Sequence, residues 1–119
     1  MASFRETLDR HLAAVAGRDE ETFAETVDPD EVLVVTAEGE VITDPDLFVK
    51  RHRDWFDDPA WRLETDVIWV REGDDLATAV IRLAYRDGDG AMHPSVLGLV
   101  FRRDGERWLM IEDQNTPVR

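Results

Sequence analysis

The stretch Arg103-Asp-Gly-Glu-Arg-Trp-Leu-Met-Ile-Glu-Asp-Gln-Asn-Thr116 decides how the rest of the chain is read. An Asp-Gly turn feeds a final strand whose first half is apolar and whose second half is polar. Upstream, period-two alternation begins at Trp61 and continues to this strand. Residues 61–71, 76–86, 91–102 and 107–116 read as four strands. Their connections, Glu72-Gly-Asp-Asp75, Asp87-Gly-Asp-Gly90 and Asp104-Gly105, are acidic and contain glycine, as hairpin turns do.

Before Trp61 the spacing is mostly helical. Ser3 and Glu6 fit a capping box, and Phe4, Leu8, Leu12 and Val15 recur on one face up to a stop at Gly17. Asp19 can cap a shorter helix to about Val27, which Asp28-Pro29-Asp30 breaks. Val32 to Thr36 is β-branched and apolar. Glu38-Gly39-Glu40 turns it into a short return strand, Val41 to Thr43. Asp44-Pro45 places a capping carboxylate before a proline at the first helical position, opening a helix to about Phe56. Helices segregated from strands predict an α+β fold: a curved antiparallel sheet, a four-strand meander plus a small hairpin, packed on three helices.

Turn chemistry sets the expected register. With Asp104 and Gly105 as central turn residues, Phe101 faces Trp108, Leu99 faces Met110, Leu97 faces Glu112, Ser95 faces Gln114 and His93 faces Thr116. A turn over 87–90 sets Arg82 beside Ser95 and Val80 beside Leu97. One sheet face then carries an apolar half followed by a polar half made of Arg82, His93, Ser95, Glu112, Gln114 and Thr116. The opposite face, with Val96, Val100, Leu109, Ile111, Ala79, Ile81 and Leu83, is apolar as well. Three helices do not easily cover both faces, so a homodimer through the outer sheet face is expected. A second layer formed by the small hairpin is the alternative.

Composition narrows the function classes. At 119 residues the chain is expected to form one domain, 1–119. With 43% hydrophobic residues it can bury a core. The net charge is −13, carried against 13 arginines and the lone Lys50, and it opposes a nucleic-acid partner. No apolar run reaches the roughly 18 residues of a membrane span. The first residues lack a signal-peptide layout, and cysteine is absent, so a cytoplasmic protein is the simplest reading.

The element order and the ending, Trp108-Leu-Met-Ile-Glu-Asp-Gln-Asn-Thr116, resemble the nuclear transport factor 2-like superfamily and its SnoaL-like group. Many relatives end in a Trp, alternating apolar residues and a His-x-His-x-Ser-like run. Here those alternating polar positions are Glu112, Gln114 and Thr116, so imidazole chemistry at 112 and 114 is not expected. The resemblance covers nearly the whole chain. It implies a cone-shaped α+β barrel with a pocket between sheet and helices, and frequent dimers. It also implies a wide choice of roles: isomerases, cyclases, epoxide hydrolases, dehydratases and non-catalytic binding or assembly domains. The steroid isomerases are less similar, because Thr36 lies in the region of their early-strand Asp base.

The expected register makes Glu112 the first candidate for a general acid or base, with a pKa raised by apolar neighbours. A structural pair with Arg82, or exposure at a strand end, is the alternative. His93 could assist, or could be a surface histidine. Asp113 is expected on the other face. It is a minor candidate, since an Asp on a late strand is the base in some cyclases that the chain resembles. Arg82, Ser95 and Gln114 form a polar row able to bind a carbonyl or carboxylate, or to satisfy one another. Trp55, Trp61, Trp69 and Phe48 could wall a ring-shaped ligand, or be plain core. His11 and His52 are expected on core-facing helix faces. No metal or cofactor motif occurs. Two functions are expected: a pocket for a small hydrophobic ligand without catalysis, or a cofactor-free isomerase, cyclase or hydratase acting on a hydrophobic carbonyl compound.

Overall fold

The computed structural model describes residues 2–119. Three helices, α1 (Phe4–Ala16), α2 (Glu20–Thr26) and α3 (Pro45–Phe56), pack on one face of six strands. The strands are β1 (Leu33–Val35), β2 (Val41–Ile42), β3 (Arg62–Glu72), β4 (Leu76–Arg86), β5 (Met92–Asp104) and β6 (Arg107–Pro117). Their spatial order is β2-β1-β6-β5-β4-β3. The meander is antiparallel throughout, and β1 joins it by pairing in parallel with β6. The α+β architecture with helices on one face is therefore the expected one. The sheet curves but stays open, because β2 has two residues and cannot close against the eleven of β3. One pairing departs from the expected antiparallel sheet: β1 and β6 run parallel, so the curved, unclosed six-strand sheet is mixed.

Local chemistry explains the helix ends. Ser3 Oγ accepts the Glu6 amide at 3.1 Å. The reciprocal Glu6 side-chain bond is not formed among the described residues. Asp19 accepts from the Thr22 amide at 3.2 Å and its hydroxyl at 2.7 Å. Asp44 caps α3 ahead of Pro45. The turn after α1 places the left-handed conformation on Arg18 (φ 56°) rather than on Gly17 (φ −93°). Arg18 is held there by its side chain. It donates to the carbonyls of Asp58, Pro59 and Trp61, and its guanidinium lies 4.1 Å from the Trp61 ring centroid. The α2–β1 loop is fixed by buried Asp28. Its Oδ1 accepts the Asp30 and Glu31 amides at 2.8 and 3.2 Å, and its Oδ2 accepts from Arg102 Nη2 at 2.6 Å.

Two loops and one bulge set which side chains face the helices. The β4–β5 connection has five residues, not four. Arg86 pairs with Met92, and Asp87 Oδ1 closes the loop by accepting the Asp89 and Ala91 amides at 2.9 and 3.0 Å. One extra residue exchanges the faces of β4 relative to β5. Leu83 therefore pairs with Ser95 and Ile81 with Leu97, while Arg82 pairs with Val96 on the outer face. The β5–β6 turn centres on Gly105 (φ 63°) and Glu106, with Asp104 opposite Arg107. That moves the expected register by two, which leaves faces unchanged, and Phe101 lies opposite Met110. The next pair is Val100 and Glu112, so Ile111 is the extra residue of a β-bulge. Beyond it the faces exchange: Leu99 pairs with Asp113 and Leu97 with Asn115.

The helix-facing side of the sheet carries Ala77, Ala79, Ile81, Leu83, Leu97, Leu99, Phe101 and Met110, all buried. Phe4, Leu8, Leu12, Phe23, Phe48 and Phe56 descend on it from the helices. Phe4 meets Phe101 and Trp108 edge-on at centroid distances of 5.3 and 5.4 Å, a favourable quadrupole geometry. No helix among the described residues is long and apolar enough to cross a membrane.

Candidate functional site

Toward the β5 N-terminal end the core gives way to a cavity of about 710 Å³ between the helices and the sheet. This is the size range of small-molecule sites. α1 contributes His11, Leu12 and Val15, α2 contributes Phe23, and α3 contributes Phe48, Arg51, His52 and Trp55. The sheet supplies Val34, Leu63, Thr65, Leu83, Tyr85, Ser95, Leu97, Asp113 and Asn115. Exposed Ala37, Glu38, His93, Pro94 and Pro117 mark its opening. The cavity exists because the inward positions of β6 change after the bulge from the buried Met110 to short polar side chains.

Asp113 is the cavity carboxyl whose pKa is raised. Burial pushes its carboxyl from 3.8 up to about 7. Among the described residues its side chain has no ion pair and no hydrogen bond. Two positions along, Asn115 Oδ1 is buried with no hydrogen-bond partner. Asn115 Oδ1 and the ionised Asp113 carboxyl are thus acceptors that receive no hydrogen bond from the described residues.

The two helix histidines are neutral. Burial, with a smaller contribution from nearby His52, lowers His11 to about 3. Burial lowers His52 to about 4, against the raising effect of its bond to Phe48. Thr26 gives its hydroxyl proton to Phe23 O at 2.8 Å, so His11 Nδ1–H donates to Thr26 Oγ1 at 2.7 Å. A carbonyl only accepts, so His52 Nδ1–H donates to Phe48 O at 3.1 Å. In both rings Nε2 is left as the unprotonated nitrogen. His52 also stacks on Phe23 at 4.2 Å and 16°. The cationic Arg51 is tied to Glu40 by a two-pronged bond of 2.5 and 2.8 Å, which raises the Arg51 pKa and lowers that of Glu40.

Four of the sequence candidates meet here: Phe48, Trp55, Ser95 and His93. His93 stands at the opening and directs Nε2 to Asp87 Oδ2 at 2.8 Å, which helps hold the Asp87 carboxyl below its usual range. Trp61 is fully buried behind the wall. It stacks on Trp55 at 4.0 Å and donates from Nε1 to Trp55 O at 3.0 Å, so it supports the cavity without lining it. The remaining positions are corrections. Glu112 and Gln114 are exposed on the outer face because the Ile111 bulge exchanges the faces of β6. Arg82 is exposed there because the β4–β5 loop has an odd number of residues. Trp69 pairs with outward-facing Val80 after a second bulge at Ile68 and is 46% exposed. Asp113, expected to face outward, faces the cavity, joined by Asn115, Tyr85 and Thr65, which sequence reasoning did not single out. A signal was present: Trp108, Leu109 and Met110 are three consecutive apolar residues, all buried, and strict alternation forbids that.

No group of three His, Asp or Glu among the described residues could hold a metal ion. Comparison with known proteins bears on the fold and the family. No curated protein matches the chain. Among solved structures it is similar to a candidate calcium/calmodulin-dependent protein kinase type II association domain from Thiobacillus denitrificans (TM-score 0.85, 15% identity, 100% of this chain and 98% of that one). It is also similar to an uncharacterised protein with a cystatin-like fold from Caulobacter vibrioides (TM-score 0.79, 25% identity, 97% and 87% covered). A third similar structure is a candidate dehydratase of the nuclear transport factor 2-like family from Streptomyces avermitilis (TM-score 0.81, 16% identity, 95% and 91% covered). The SnoaL-like domain model matches residues 5–115, and on that match the chain belongs to the SnoaL-like domain family.

Proposed function

We propose that the cavity binds a small, largely apolar molecule, with its polar end at Asp113. The observation that carries this reading is the unpaired Asp113 carboxyl facing a cavity of about 710 Å³ whose walls include Phe23, Phe48, Trp55, Leu83 and Leu97. Beside it, Asn115 Oδ1 is a buried acceptor without a donor, which costs about 1–3 kcal/mol that a ligand can recover. A second reading, acid–base catalysis of the isomerase, cyclase or dehydratase kind, is favoured by one fact: a carboxyl with a pKa of about 7 can both take and give a proton near neutrality. In that reading Asp113 takes the role that the sequence suggested for Glu112.

A fragment set of small cyclic compounds, read by ligand-observed NMR, tests the binding reading. Binding is expected for the protein and is expected to be lost when Ser95→Phe fills the cavity, with circular dichroism confirming the fold. Binding that survives Ser95→Phe, or no binding at all, overturns it.

The outer face supports a further proposal, a dimer through the sheet. One cross-strand row there runs Arg71, Thr78, Val100, Glu112, and the next runs Trp69, Val80, Gly98, Gln114. A two-fold axis along the strands between β4 and β5 would set Arg71 against the partner's Glu112 and Val80 over the small Gly98. Charges and volumes on this face are thus self-complementary. Sedimentation is expected to show a dimer at micromolar concentration that Val80→Glu dissociates. A monomer for the unaltered protein would sink the proposal.

A further inference from the structure

We propose that the molecule this cavity takes is an organic cation, a ring-bearing compound whose polar end is a protonated amine seated against Asp113. The inference rests on the small-molecule reading above and adds the chemical class. It starts from a count of what the cavity's polar groups still need. Asn115 Oδ1 is a buried acceptor with no donor. The Asp113 carboxyl has no cation beside it and no donor among the described residues. His11 and His52 have each spent Nδ1–H on a protein oxygen, leaving Nε2 as an acceptor. The one fully buried unmet group is an acceptor, and an ammonium group brings three donors and no acceptor.

Charge disfavours an anionic ligand. Arg51, the cavity's guanidinium, is already committed to both oxygens of Glu40, and Glu38 stands at the opening. The whole molecule carries −13, which draws cations toward a cleft and repels anions. A neutral ketone would find hydroxyl donors in the wall, but it would leave Asn115 Oδ1 and Asp113 unmet. Trp55 and Tyr85, 5.9 Å apart between ring centroids, add aromatic faces of the kind that attract organic cations. Bound ammonium also supplies the counter-charge that Asp113 lacks, so binding is coupled to its ionisation. His11 and His52 are neutral above about pH 5, His93 is turned to Asp87, and Arg51 is paired.

The test uses four probes of matched shape: phenethylamine, phenethyl alcohol, propylbenzene and hydrocinnamate, titrated into the full chain by calorimetry. At about pH 7.5 the amine should bind at least about tenfold more tightly than the alcohol, as expected for a charge-assisted bond replacing a neutral one. Its Kd should rise about tenfold for each pH unit below about 7, because Asp113 must give up its proton while the amine stays charged. Asp113→Asn should abolish both the preference and the pH dependence. Equal binding of amine, alcohol and hydrocarbon would overturn the amine inference and leave the small-molecule reading standing. A preference for hydrocinnamate would likewise overturn it. Failure of all four probes would count against both.

Discussion

Replacing Asp113 by Asn should stabilise the protein, and by an amount that depends on pH in a set way. The carboxyl ordinarily titrates at 3.8, and in the fold at about 7. Below both values the group is protonated in folded and unfolded chains and contributes nothing. As pH rises from 3.8, the unfolded chain ionises while the folded chain resists, so stability falls by about 1.4 kcal/mol per unit. Above 7 both states are ionised and the loss is constant. About three units of displacement give a loss of about 4 kcal/mol, an upper bound because the cavity lets water reach the carboxyl. Asn has nearly the same shape and does not titrate. Urea denaturation of both proteins should therefore give nearly equal stabilities at pH 4, a gap in favour of Asn that widens to about pH 7, and a plateau beyond. Near neutrality the gap corresponds to about 10–20 °C in Tm for a chain of this size. His11 and His52, whose lowered pKa values make the fold weaken as pH falls below 6.5, are common to both proteins and cancel in the difference. A gap that stays flat within about 0.5 kcal/mol from pH 4 to 8 would show that Asp113 ionises normally and would refute the reasoning.

In the isolated protomer, Glu112→Gln and Arg82→Gln should each change stability by less than about 0.5 kcal/mol, since both side chains are exposed on its outer face. NMR titration of Asp113 in either variant should match that of the parent, and a shifted titration would contradict their outward placement. Arg18→Ala and Arg18→Gly both lose the tether to the α3–β3 connection, but only glycine relieves the positive φ of 56°. The glycine variant should be the more stable by about 1 kcal/mol in denaturant, and equality would count against backbone strain at that site. Asp28→Asn should cost less than Arg102→Met. The Arg102 side chain is 36% exposed and can turn to water, whereas Asp28, at 0%, cannot. Chemical denaturation at neutral pH decides the order, and the reverse order would mean that the pair is not what holds the α2–β1 loop.

The fold was legible because its signals are local or periodic. Ser3, Asp19 and Asp44-Pro45 mark helix starts by satisfying amides within a few residues, and period-two alternation with acidic Gly-containing turns marks the meander. The family resemblance rested on the same features, and the match over 5–115 agrees with it. The site was harder to read, for a reason that is physical rather than statistical. Which face a strand residue occupies is a parity, and parity is reversed by any single-residue change in a loop or strand. The Asp87–Ala91 loop carries one such change and Ile111 another. Misreading the Gly105 turn by two residues did no harm, whereas each one-residue difference exchanged a whole set of side chains. Arg82 was lost to the outer face by the first, and Glu112 and Gln114 by the second. Ser95 was placed correctly because it lies on β5, the strand against which both errors are measured.

The same parity gives the bulge a functional meaning. Without an extra residue, a strand that buries Met110 would turn Glu112 and Gln114 toward the helices, and two long side chains would fill the space now open. With Ile111 inserted, the inward positions fall on Asp113 and Asn115, each one methylene shorter. Shorter side chains leave the cavity its volume, and the shorter carboxylate stays deep enough for burial to raise its pKa to about 7. The bulge thus turns a strand end that would have closed the core into the polar floor of a cavity. That is why the carboxyl facing the cavity is that of an aspartate whose neighbour in sequence looked, by alternation alone, the better candidate.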